Sequence, residues 1–169
     1  MGEFEGGGSF SERHVTAADT AWIVGLHAAP HARAYMQQPD EDAVRAAVDR
    51  PGAAQRVVLD RHGAPIALWR ARLEDSWLAE LQTLVVAQPG KGAGTWALRR
   101  ALAWAFDEQR VHRTYLYVTA ANARARSLYE LHGFRFEGAD RDGFRAPDGT
   151  FQPLCRYGML EDEYVRHRR

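Results

Sequence analysis

The run Gly90-Lys91-Gly92-Ala93-Gly94 is the densest cluster of chemistry-bearing positions in the chain. Glycines let a backbone approach a ligand closely. Between a strand end and a helix start, such a loop also presents unpaired N–H groups that the helix dipole directs at an anion. Phosphate is the ligand this arrangement suits, although a tight turn without any ligand would use the same residues. A nucleoside-triphosphate loop needs a lysine followed by Ser or Thr after its last glycine, whereas Lys91 precedes Gly92. A dinucleotide fold is closer in form, since Gly92-Ala93-Gly94-Thr95-Trp96-Ala97 fits its six-residue pattern. That fold also wants an acidic ribose ligand about 20 positions on, at the next strand end, where this chain has Val118-Thr119-Ala120. Metal chemistry has no support, because the seven histidines show no H-E-x-x-H spacing and the single Cys155 excludes a four-cysteine site. No metal is expected.

The elements that must hold this loop can be read from periodicity. Ser11 to Val15 reads as a first strand, and Thr16-Ala17-Ala18-Asp19 as a capping box with Asp in place of Glu, opening a helix with Trp22, Ile23 and Leu26 on its apolar face. Pro30 stops that helix, His31 to Met36 reads as a helical turn, and Val44, Ala47 and Val48 repeat at helical spacing up to Pro51-Gly52. Arg56 to Asp60 and Ile66 to Leu73 form a hairpin about Arg61 to Ala64, followed by a strand within Trp77 to Val86. The glycine loop leads into a helix from about Thr95 to Gln109, whose buried face carries Leu98, Leu102, Ala105 and Phe106. Arg113 to Thr119 returns as a parallel strand after this crossover. A second helix begins near Asn122, with Ala125, Leu128, Tyr129 and His132 on one face and Gly133 as the left-handed residue at its end. Phe134 to Glu137 and Phe151 to Leu160 read as closing antiparallel strands, joined by a loop carrying Asp140, Asp142, Asp148 and Gly149.

Composition narrows the function classes. A chain of 169 residues with 46% hydrophobic content can bury the core of one domain. Its 22 basic and 22 acidic residues cancel, so it has no global field for nucleic acid or an anionic membrane. No run approaches the roughly 18 apolar residues that would span a bilayer, and a lone cysteine fits a reducing compartment such as the cytoplasm. Residues 1–9, with four glycines, read as a disordered tail. All but one of the basic residues are arginine, the exception being Lys91.

Two segments together carry a family resemblance. Leu84 to Leu98 (LVVAQPGKGAGTWAL) resembles the pyrophosphate-binding motif of the GNAT superfamily, and Asn122 to Phe134 (NARARSLYELHGF) resembles its second motif, with Asn122, Ala125, Leu128, Tyr129, Gly133 and Phe134 at the family spacing. The likeness extends more loosely from Ser11 to Tyr164. Its tone is that of branches acetylating ribosomal-protein amino termini and small amines. One departure is Pro89, where the family commonly has Gln or Arg, with Gln88 displaced by one.

The resemblance implies an α/β (mixed α+β) fold. Residues 10–169 would form one N-acetyltransferase domain around a mixed, mostly antiparallel sheet of six to seven strands, with a splayed central parallel pair and about four flanking helices. It implies transfer of an acetyl group from acetyl-CoA to a primary amine by direct attack in a ternary complex; a non-catalytic acyl-CoA-binding module is the alternative. Leu84, Val85, Val86, Lys91, Gly92, Ala93, Gly94 and Thr95 would hold the cofactor, with Asn122 meeting the pantetheine arm as well as capping its helix. Tyr129 would contact coenzyme A and protonate the departing thiolate, and Glu80 would be the base that deprotonates the amine, directly or through water. His31, Tyr35 and Glu74 are other base candidates, and Arg124 and Arg126 lie where an anionic ligand would relieve their clash with a helix dipole. Acceptor recognition would come from Trp22 to Pro39 and Asp140 to Pro153, and a homodimer is in keeping with the family.

Overall fold

In the computed structural model, which describes residues 10–48 and 50–168, seven strands form one sheet in the order β1-β2-β3-β4-β5-β7-β6. The strands are β1 (Ser11–His14), β2 (Ala53–Leu59), β3 (Pro65–Asp75), β4 (Leu78–Val86), β5 (Arg113–Thr119), β6 (Arg135–Arg145) and β7 (Phe151–Leu160). The helices are α1 (Thr20–Ala28), α2 (Pro30–Arg33), α3 (Glu41–Ala47), α4 (Ala93–Ala103), α5 (Ala123–Leu131) and α6 (Glu161–His167). All neighbouring pairs are antiparallel except β4 and β5. A parallel pair needs a crossover, and α4 supplies it. The reading of a disordered tail at residues 1–9 lies outside the described residues.

Alternation along β3 sends its residues to two faces with different cover. Ala67, Trp69 and Ala71 join Val58, Leu81 and Leu116 against α4 and Tyr129, making the first face. Leu68, with Val57 and Val85, packs against Ile23, Leu26 and Val44 of α1 and α3, making the second face. Local chemistry fixes how the helices enter. The Thr16/Asp19 capping box is present, Asp40 Oδ1 accepts from Ala43 N at 2.7 Å, and Pro30 occupies the first turn of α2, where its missing N–H costs nothing.

The central pair opens for an identifiable reason. Register passes from Arg70 opposite Thr83 to Ala71 opposite Leu81, leaving Gln82 as the extra residue of a bulge in β4. Bulges bend the strand that carries them. Accordingly β4 pairs β5 only over Leu78–Leu81, while β5 continues along β7 as far as Thr119.

Several sequence expectations need correction. Among the described residues the sheet has six α-helices where about four were expected; α6 buries only Tyr164, so it offered no apolar period. Asp140 and Asp142 belong to strand β6, which runs on to Arg145 as an edge strand with one exposed side and so tolerates charge. Helix α4 starts at Ala93, two residues early, and continues through a π-helical turn, Trp104–Glu108.

Candidate active site

Where β4 and β5 part, a cavity of about 770 Å³ passes through the gap and is lined from both sides of the sheet. The glycine loop, Thr95 and the residues from Ala121 to Tyr129 contribute from the first face, and Pro30 to Met36 from the second. Loop and helix geometry explain the glycines at its mouth. Gly90 and Gly92 have φ of 88° and 85°, in the left-handed region that side-chain-bearing residues avoid. Gly92 is the N-cap of α4, and the first internal bond there is Trp96 N to Gly92 O at 3.0 Å, so the N–H groups of the preceding turn are free for an anion. Gly94 faces Val86 and Leu128, where an added Cβ would make ordinary contact with their side chains at 3.5 and 3.7 Å.

The strand β4 forms one wall. Ala87 N donates to Ile66 O at 2.7 Å, so by antiparallel alternation Val85 turns its polar groups to β3, while Leu84 and Val86 turn theirs toward the gap. The Val86 carbonyl is met by His31 Nε2 at 2.7 Å, which must then carry the ring proton. The Leu84 N–H and C=O and the Val86 N–H are left facing the cavity, a ladder that an amide-bearing chain can complete.

Helix α5 forms the opposite wall, and its two ends are fixed by sequence. At the start, Asn122 Oδ1 accepts from Ala125 N at 3.1 Å, so its oxygen is committed to capping even though the residue lines the cavity. At the end, Phe134 N bonds Tyr129 O and Gly133 N bonds Glu130 O, both at 3.1 Å, with Gly133 at φ 90°. This is the paired closure of a Schellman motif, with its usual apolar contact between Phe134 and the Tyr129 ring, centroids 5.8 Å apart. The Tyr129 phenol is thereby held at the cavity wall, only 6% exposed, and burial pushes its pKa up. It stays protonated and can donate.

The other named residues separate clearly. Arg124 lines the cavity and holds its guanidinium over Gly90, whereas Arg126 turns away to Tyr157 Oη and the Ala120 carbonyl. Lys91 is exposed outside the lining, and Ala93 is buried beneath the loop. His31 and Tyr35 are in the lining. Glu80 is not: it sits on the second face where strand pairing ends, bonded to Gln82 Nε2 at 3.0 Å and facing Arg72 at 3.4 Å. Glu74 is also tied to Arg72, at the strand end remote from the cavity. The Asp140 to Pro153 region lies on the β6–β7 hairpin, apart from the cavity. The lining contains Arg124 and the dipole end of α4 but no Asp or Glu among the described residues, which makes it an anion-receiving site. Met36, within the Trp22 to Pro39 stretch expected to meet the acceptor, is in the lining; sequence reasoning missed Leu128, which the helical period marked only as core.

The model of the acetyltransferase (GNAT) family matches residues 26–134, more than half of the chain. The chain belongs to the GNAT acetyltransferase family. Among curated relatives, the spermidine N(1)-acetyltransferase of Vibrio cholerae is 33% identical over 88 residues, covering 52% of this chain and 50% of that protein. The putative ribosomal N-acetyltransferase YdaF of Bacillus subtilis is 33% identical over 75 residues, covering 44% and 40% respectively. The chain thus spans about half the length of the curated relatives it matches. Among solved structures, the Vibrio cholerae spermidine N-acetyltransferase in complex with CoA and spermine superposes with a TM-score of 0.82 at 24% identity, covering 93% of this chain and 98% of that one. At that identity the likeness concerns the fold, and the mixed sheet with its parallel central pair is the GNAT fold. No helix among the described residues is long and apolar enough to cross a membrane, and no cluster among them could hold a metal ion.

Proposed function

We propose that residues 10–169 act as one N-acetyltransferase domain that moves an acetyl group from acetyl-CoA to a primary amine in a ternary complex. The observation that carries this reading is that one cavity joins a free helix N-terminus, an unpaired strand edge and a buried phenol. These three features suit the pyrophosphate, the amide-bearing arm and the thioester of the donor, in that order along the cavity. Acetyl-CoA supplies the activated acyl carbon.

In the proposed roles, Gly92, Ala93, Gly94 and Thr95 offer backbone N–H groups to phosphate, with Arg124 as the point charge and Lys91 as an outer one. Leu84, Val85 and Val86 pair the arm, and Asn122 closes its far side through the amide left free by capping. Glu80 takes the first proton, which the ammonium must lose before it attacks. Its place beyond the cavity floor calls for a water between it and the amine. As the amine nitrogen bonds to the acetyl carbon and the C–S bond breaks, Tyr129 delivers its proton to the sulfur, and the second proton shed by the nitrogen as the amide forms restores the phenol.

The assay is release of free thiol from acetyl-CoA in the presence of a panel of primary amines and peptides. Thiol release that depends on both amine and Tyr129 supports the reading; tight acetyl-CoA binding with no product from any amine would replace it with an acyl-CoA-binding module. Exposed Phe136 and Phe151 on the β6–β7 hairpin favour self-association as a homodimer, measurable by sedimentation. The buried Cys155 accords with a cytoplasmic protein.

A further inference from the structure

Among the described residues, five buried side-chain nitrogen and oxygen atoms have no hydrogen-bond partner: Arg70 Nε, Arg72 Nε, Thr119 Oγ1, Gln152 Oε1 and Arg156 Nε. By strand alternation all five belong to the second face. Arg70 and Arg72 follow Leu68 on β3. Thr119 lies one residue beyond Val118 of the first face, and Gln152 and Arg156 flank Cys155 at odd intervals. None of the five lines the cavity, and Gln152 lies on the hairpin apart from it; Arg70, opposite Thr83 on the part of β4 that β5 does not pair, is the one beside the gap, and an unmet polar atom there is what a polar ligand would relieve.

The charges of this face are uneven. Arg72 has Glu74 and Glu80, Arg113 has Glu137 at 2.5 Å, and Arg156 reaches the same Glu137 at 3.7 Å while lying over the Tyr115 ring. Arg70 has no carboxylate among the described residues. It is half-buried opposite Thr83, and the ionisable groups that act on it are Arg50 and, from α1, His27, neither of them negative. Its pKa is pushed down by burial and by Arg50, the signature of a cation lacking its counterion. Arg70 itself is outside the lining; the next second-face pair along the strands is Leu68 with Val85, and Val85 lines the cavity, about 8 Å diagonally from Arg70.

We infer that Arg70 is the specificity residue for a carboxylate on the acceptor, so that the preferred substrate is an amine carrying an anionic group and not a polyamine. The geometry gives a scale. Arg70 stands two residues along β3 from Arg72, the partner of Glu80, roughly 6.6 Å on strand spacing. An amine held toward Glu80 and a carboxylate held by Arg70 are then separated by a few bonds. A diamine would instead place its second ammonium against an uncompensated guanidinium.

The inference rests on the amine-transfer reading, and one experiment separates the two. Acetylation of 4-aminobutyrate, butylamine and 1,4-diaminobutane is compared at saturating acetyl-CoA, together with the thermal midpoint of the coenzyme A complex in each amine. The expected order of kcat/KM is 4-aminobutyrate, butylamine, diaminobutane. The first should lead the second by about tenfold to a hundredfold, the size of a charge-assisted bond. Arg70→Gln should bring that ratio near one, and Arg70→Lys should restore part of it, which a merely structural role for Arg70 would not do. A lead for the diamine, or a carboxylate preference that survives Arg70→Gln, overturns the inference. If none is acetylated, the transfer reading fails while the midpoint still decides the anion site. Arg70-dependent stabilisation by 4-aminobutyrate alone upholds that site, and stabilisation by none of the three removes it.

Discussion

The two faces of the sheet treat their polar groups in opposite ways. On the first, the donor-side wall is made of backbone and local motifs. The α4 N-terminus is freed by glycine, α5 is capped by Asn122, and Tyr129 is fixed by a Schellman closure within five residues of itself. On the second, the groups near the gap are side chains brought together by strand register, and several have buried atoms with no partner. A surface finished by its own backbone is built for a ligand of constant form. One left unfinished in its side chains is built for a ligand that supplies the missing partners. In the proposed transfer these would be the donor that every turnover uses and the acceptor that sets specificity.

The contrast can be tested at both faces. The largest expected effect is in the chemistry of the first: Tyr129→Phe removes only the phenolic proton and should lower kcat by about a hundredfold or more at little change in acetyl-CoA affinity, as read by steady-state kinetics and calorimetry. Unchanged turnover would strip Tyr129 of its role and leave the first face a binding wall only.

The next effect is structural. Gly133→Ala puts a Cβ at φ 90° and 3.3 Å from both His167 and Met159, which should cost about 2–3 kcal/mol in denaturant unfolding and loosen the end of α5 that holds Tyr129. A neutral result would mean that the closure does not fix the helix end.

Two substitutions on the second face should differ in sign. Asp19 is satisfied, paired with Arg13 at 2.7 and 2.8 Å and bonded by Thr16, and these contacts hold its pKa down to about 2. A carboxylate whose folded pKa lies below its ordinary value near 3.9 stabilises the fold above about pH 4, and that contribution is lost as pH falls toward 2. Asp19→Asn should therefore cost roughly 1–2 kcal/mol near neutrality, discounted for the exposure of Arg13, and flatten the acid limb of the stability curve. Arg70→Met removes a half-buried guanidinium with no counterion, and should be neutral or raise the thermal midpoint by about 2–4 °C. A clear loss of stability would mean that Arg70 is satisfied by the fold and not kept for a ligand.

Much of the first face was legible in the sequence because its signals are local. The spacing from Asn122 to Phe134 specifies a cap, a period and a left-handed terminator within one helix, and the glycine loop announces its positive φ. Strands β5 and β7 were found at their observed bounds, β5 from its alternation and its aromatic and β-branched residues. What was misread lacked such signals. The edge strand β6 is charged along its exposed side, so Asp140 and Asp142 looked like loop, and α6 buries one residue and has no period. Among site residues, Glu80 could be assigned to the strand before the loop, but not to a face.

The sequence alone determined the glycine loop and the capped helix α5, since both are made from neighbours in the chain. Only the tertiary structure decided the second face. Where Glu80 and Arg70 stand relative to the gap depends on one bulge at Gln82, which shifts β4 by a residue and beyond which β4 no longer pairs β5. No local pattern encodes a register, because pairing is set by what two distant strands can bury together.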